Sequence, residues 1–207
     1  EASANDRILA SKLRASKQAF VEGEKGDYLT DLLAEGTVKL IRENGKKKPF
    51  FLYFPFYAVH TPLQGKKGKI EHYKQVPKEK RQGNPVYAAM VESVDDAVGK
   101  VMGAVRELGM EKNTLVLFTS DNGGALHYGA SNKPFSGGKG DLLEGGIRVP
   151  CLVKMPNFRE EKEINEPLLL MDFYPSILQL VGGKIDEELP SEVIPEICNH
   201  CKFQESL

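Results

Sequence analysis

Cysteine is scarce in this chain: Cys151, Cys198 and Cys201 are the only three among 207 residues. An odd number so unevenly spread does not make a disulfide framework. Cys198-Asn199-His200-Cys201 is a CxxC with a histidine inside it. Zinc wants four ligands, and no second CxxC accompanies this one, so a polar tail with two cysteines explains the pattern as well. A charge excess is also lacking. The 28 Lys and Arg against 29 Asp and Glu leave a net charge of −1, which removes the electrostatic case for a nucleic-acid or membrane-surface partner. No apolar run reaches the roughly 18–20 residues of a membrane span. The first twenty residues hold no apolar signal core, and the chain begins at Glu1 rather than Met, which reads as a processed end or a cut.

What is present is a chain that is 41% hydrophobic, enough to bury a core in one domain or one and a half. Residues 6–22 predict a modest helix capped by Asp6. Residues 28–44 predict a stronger one, with Leu29, Leu32, Leu33, Leu40 and Ile41 on one face and Asn44-Gly45 as its stop. The run PFFLYFPFY at 49–57 predicts a strand buried on both faces, with Pro55 near its end. Residues 62–85, rich in Lys, Pro and Gly, predict a long surface loop. Residues 86–108 predict the clearest helix, through Val86, Met90, Val94, Ala97, Val98, Val101, Val105 and Leu108, ended by Gly109. TLVLFT at 114–119 and the stretch 147–155 predict two more strands, and 172–181 a short helix capped by Asp172. The alternation implies an α/β fold with a mostly parallel central sheet flanked by helices. Such sheets bind ligands at the carboxyl ends of their strands.

Three stretches carry chemistry. His60, directly after the first predicted strand, can donate to an anion or move a proton near neutral pH; an ordinary loop histidine would look the same. Asp121 and Asn122, at the end of the second strand, offer two hard oxygen ligands suited to calcium or magnesium. An Asx turn would look the same, and two ligands fall short of a calcium shell. Residues 137–146 contain five glycines around Lys139, which imply positive φ or close backbone approach and a lysine able to meet an anionic oxygen. A flexible loop with a solvated lysine is the alternative. This is not a P-loop, because Lys133 and Gly140 stand where that motif needs Gly and Ser or Thr.

In combination these stretches resemble the sulfatase family of the alkaline phosphatase superfamily. The matching segments are YLTDLL at 28–33, PFFLYFPFYAVHTPLQ at 49–64, NTLVLFTSDNGG at 113–124 and SNKPFSGGKGDLLEGGIRVP at 131–150, with a weaker match in FYPSILQLVGG at 173–183. The resemblance implies a partial catalytic domain over 28–183, preceded by a helical segment at 1–27 and followed by an atypical tail at 184–207. It implies that Asp121 and Asn122 bind a divalent cation, calcium in most of the family. It implies that His60 and Lys139 contact the sulfate and act in catalysis, and that Glu144 and Arg148 hold the lysine loop. The loops carrying His72, His127, Lys66, Lys67 and Lys69 would shape the substrate pocket.

The family's nucleophile is a formylglycine made within a C-x-P-S-R motif, and no such motif occurs in these residues; Cys151 is followed by Leu, Val and Lys. The family's early acidic pair and early Lys-x-His segment are absent too. The expectation is therefore a fragment lacking the N-terminal part of a sulfuric-ester hydrolase, acting on a sulfated small molecule or sulfated glycan. A phosphoester or phosphonate hydrolase of the same fold, or a catalytically dead remnant, are the alternatives. The resemblance suggests a periplasmic, secreted or lysosomal setting.

Overall fold

The structure is a computed structural model that describes residues 23–81, 83–156, 161–185, 192–195 and 197. The helix expected over 6–22 and the Cys198–Cys201 motif lie outside these residues. The chain divides into two compact units: Glu1–Gly109 with Gly123–Ile147, and Met110–Asn122 with Arg148–Leu207.

The first unit is built on α1 (Leu29–Asn44), α2 (Lys67–Gln75) and α3 (Pro85–Glu107), with α3 packed against both others. α3 starts where the sequence is best prepared for it. Asn84 Oδ1 accepts from the Tyr87 N–H at 2.9 Å, and Pro85 takes the first helical position, where its missing donor is harmless. Gly109 ends it at φ 68°. Of the predicted stripe, Met90, Ala97 and Val105 are buried, while Val86, Val94, Val98, Val101 and Leu108 are half-buried. Ala89, Ser93 and Ala104 join the buried line. Small side chains let the α1 backbone approach, and α1 answers with Leu33, Ala34, Thr37 and Ile41. Ser93 keeps its hydroxyl satisfied by donating to Ala89 O at 2.8 Å.

The loop expected over 62–85 instead contains α2 and a short 3₁₀ turn at Lys78–Lys80. α2 buries no residue. Salt bridges hold it: Lys69 pairs with Glu92 and, at 2.9 Å, with Asp96 of α3, while Lys66 just before it reaches Asp31 of α1 at 2.6 Å. Burial works against the charge on Lys69, but hydrogen bonds to the two carboxylates hold its pKa above the usual lysine range. PFFLYFPFY is the larger correction. It is extended but pairs with no strand among the described residues, and Phe51 and Tyr53 remain 64% and 62% exposed. An apolar run becomes a buried strand only where neighbours supply ladder partners on its edges.

In the second unit, β1 (Val116–Thr119) and β2 (Cys151–Lys154) pair antiparallel, from Val116 opposite Lys154 to Thr119 opposite Cys151. This antiparallel pair is the sheet among the described residues, and the mostly parallel central sheet expected is not seen in them. Phe118 of β1 and Leu152 of β2 are exposed. Ile147, expected to open the third strand, closes a single helical turn, α4 (Glu144–Ile147), in the first unit. The core of the second unit is Phe173, Ile194 and Ile197, with Leu115, Leu117, Ile177 and Leu180 packed around them. Asp172 does not cap α5 (Phe173–Leu180) through its side chain. Its carboxylate accepts from Leu169 N–H at 2.8 Å and Glu192 N–H at 3.2 Å, closing the turn before the helix. Ser176, buried in α5, donates to Asp172 O and accepts from Ile194 N–H.

Candidate active site

His60 sits on a turn at the end of the extended aromatic segment, its backbone N–H donating to Tyr57 O at 2.9 Å. Its ring is exposed, and Nδ1 lies 3.0 Å from Thr61 O. Nδ1 donates to that carbonyl when it carries the proton and accepts from the Thr61 hydroxyl, 3.4 Å away, when it does not; in both cases Nε2 is the ring atom left to a ligand. The Tyr57 hydroxyl donates to the same carbonyl at 2.6 Å, and its ring lies 5.6 Å from the imidazole.

Asp121 and Asn122 follow β1 directly. Asp121 is exposed, and the Ser120 hydroxyl donates to the Asn122 carbonyl at 2.9 Å, closing the turn. Among the described residues no group of three or more His, Cys, Asp or Glu side chains gathers in metal-binding geometry.

The glycine-rich segment is a dense backbone knot. Gly137 and Gly140 adopt φ of 82° and 95°, open to glycine at little cost. Gly145 and Gly146 are needed for space: a Cβ on either would stand 2.2 Å from Gly137 O or 2.1 Å from Asp141 O. Gly138 N–H donates to Asp141 Oδ2 at 2.8 Å, and Gly145 N–H to Ser136 O at 2.7 Å. The knot is stitched to the residues that follow Asn122 by Gly123 N–H to Gly146 O at 2.8 Å and Lys139 N–H to Gly124 O at 3.1 Å. Lys139 therefore has a fixed backbone and an exposed side chain.

The structure thus joins the lysine loop to the glycines of the Asp-Asn-Gly-Gly stretch. His60 is placed on its own turn, with Thr61 as its polar partner. Lys66 and Lys69, expected in pocket-shaping loops, are engaged by Asp31, Glu92 and Asp96; Lys67 and His72 lie on α2, and His127 on a 3₁₀ turn at Leu126–Tyr128. Cys151 is on β2 opposite Thr119, and desolvation holds its thiol above the usual pKa, the wrong direction for a thiolate nucleophile. Sequence reasoning passed over Asn132. Its amide accepts from Gly124 N–H at 2.8 Å and donates to Gly124 O at 2.9 Å and Gly137 O at 3.0 Å. The available signal was an amide side chain beside glycine runs whose backbone groups need partners.

The family model for sulfatases matches residues 5–183. The chain belongs to the sulfatase family. It is 34% identical to arylsulfatase J of Mus musculus over 183 residues, 88% of this chain and 30% of that protein. It is 41% identical to arylsulfatase H of Homo sapiens over 173 residues, 79% of this chain and 29% of that one. Among solved structures, Ps i-CgsB in complex with k-i-k-neocarrahexaose matches at TM-score 0.72 and 39% identity, over 80% of this chain and 37% of that chain. The chain thus spans about a third of the length of these sulfatases, and their fold makes it part of an α/β architecture. No helix among the described residues is long and apolar enough to cross a membrane.

Proposed function

We propose that this sulfatase-family chain serves the hydrolysis of sulfate esters. The observation that carries the proposal is the glycine knot that fixes the Lys139 backbone while leaving its ammonium exposed, in a chain whose family is defined by that reaction. A sulfate ester gains charge on its oxygens as the S–O bond breaks, and a preorganised cation stabilises that charge without reorganisation. Lys139 takes this role. His60, with Nδ1 engaged by Thr61, presents Nε2, which donates to or protonates an ester oxygen when it carries a proton.

Asp121 and Asn122 fit a divalent cation by donor chemistry, since a carboxylate and an amide oxygen are hard ligands. These two would hold it, calcium in this reading, together with donors from outside the described set, because calcium takes about six to eight oxygens. When bound, the ion supplies a Lewis acid and template at the sulfate. The nucleophile in this reading is a formylglycine supplied from outside these 207 residues. The mostly parallel central sheet belongs to the same reading. So does a sulfated small molecule or sulfated glycan as substrate, in a periplasmic, secreted or lysosomal setting.

The test is turnover of an aryl sulfate and the matching aryl phosphate by the full-length protein, with calcium and after chelation. Faster sulfate release that falls on chelation is expected. Faster phosphate release would replace the assignment with a phosphoester hydrolase, and turnover of neither would mark a dead remnant.

A further inference from the structure

We propose that Asn132 is a positioning residue: its side-chain amide clamps the Lys139 turn to the Gly124 turn and so sets where the lysine ammonium stands. This rests on the reading of Lys139 as the group that meets the sulfate. One amide makes three hydrogen bonds. Oδ1 accepts from Gly124 N–H at 2.8 Å, and Nδ2 donates to Gly124 O at 2.9 Å and Gly137 O at 3.0 Å. A rotated amide would set oxygen against two carbonyls and N–H against N–H, so only this orientation pairs all the groups.

The glycines on either side are shaped around it. A Cβ on Gly124 would lie 3.0 Å from Asn132 Oδ1, and one on Gly138 3.0 Å from its Nδ2 and 2.6 Å from Gly124 O. The Lys139 N–H donates to the same Gly124 carbonyl at 3.1 Å. The route from Asn132 to the lysine is therefore short: amide to Gly124, and Gly124 O to the Lys139 backbone. Among the described residues the leucines of this segment add little apolar support, for Leu142 and Leu143 are 91% and 56% exposed. Side-chain amides replace missing secondary-structure partners where the backbone runs irregularly.

The experiment is a double-mutant cycle on an aryl sulfate with the full-length protein. Asn132→Ala is expected to lower kcat about ten- to a hundredfold, the usual consequence of misplacing a catalytic group. Asn132→Ala/Lys139→Ala is expected to be no slower than Lys139→Ala alone. Losses that multiply would overturn the proposal, since Asn132 would then act otherwise than through Lys139. Asn132→Asp keeps the acceptor for Gly124 N–H but offers no proton to the two carbonyls at neutral pH. It should fall with alanine, and wild-type kcat in that variant would also overturn the proposal. A second arm needs no turnover. Amide hydrogen exchange in Asn132→Ala should accelerate over residues 123–147 while Pro85–Glu107 keeps its protection; unchanged exchange over 123–147 removes the clamp. If Lys139→Ala turns over like wild type, the sulfate role of Lys139 falls, and the exchange arm still decides whether the clamp exists.

Discussion

In the α1–α3 pair, Ala34, Ala89, Ser93 and Ala97 are 0% exposed, and side chains of two helices meet directly. In residues 123–147 of the same unit the buried positions are glycines, 123, 138, 145 and 146, and what meets there is backbone on backbone. The helices are held by apolar burial, which is not directional and tolerates substitution of similar volume. The glycine segment is held by hydrogen bonds and by the absence of side chains, which fix positions to tenths of an ångström and tolerate no Cβ. Asn84 links the two, since its Oδ1 caps α3 while its Nδ2 donates to Tyr128 O at 3.0 Å. In the proposed reading precision serves the Lys139 ammonium, and the helical pair supplies stability. The two regions divide those tasks.

The comparison breaks most sharply at Lys139. Lys139→Ala in the full-length protein should reduce aryl sulfate turnover about a hundred- to a thousandfold, in the range of other single electrostatic groups, with the unfolding midpoint unchanged. Turnover near wild type would detach the glycine knot from the chemistry. The converse change is Ile41→Ala, at 3% exposure in the helical pair. It should cost about 2–5 kcal/mol by denaturant titration, with KM for the aryl sulfate unchanged in the folded fraction. Gly145→Ala places a Cβ 2.2 Å from Gly137 O and should cost about 1–3 kcal/mol. It should also displace Lys139, so its turnover should fall further than its stability predicts; parallel falls would show the segment to be ordinary packing. The smallest change is Asn84→Ala, about 1 kcal/mol from the lost cap. It should loosen exchange protection both at the start of α3 and near Tyr128, and an effect confined to α3 would mean the link to Tyr128 carries no energy.

α1 and α3 were legible almost to the residue, as Leu29–Asn44 and Pro85–Glu107. Helical periodicity and the Asn44-Gly45 and Gly109 stops are local and act within a turn of where they stand; the Asn84-Pro85 start was passed over. The close approach of the glycines around Lys139 was legible for a similar reason, because only glycine permits it. PFFLYFPFY and α2 were not legible. The first has strand composition but pairs with no described strand. The second has loop composition, yet Asp31, Glu92 and Asp96 from distant positions hold it. β1 and β2 were foreseen as strands, but nothing in 116–119 or 151–154 states that they run antiparallel.

The sequence by itself determined the chemistry at hand: an imidazole at 60, oxygen donors at 121 and 122, an ammonium at 139, and motifs that mark a sulfatase. Those are properties of residue type and spacing. The tertiary structure alone decided that the Lys139 turn docks on Gly124, that Asn132 spans both, and that Lys66 and Lys69 are engaged by carboxylates. Each of these depends on which backbone groups and charges are brought within about 3 Å of one another, and that proximity exists only after the chain has folded.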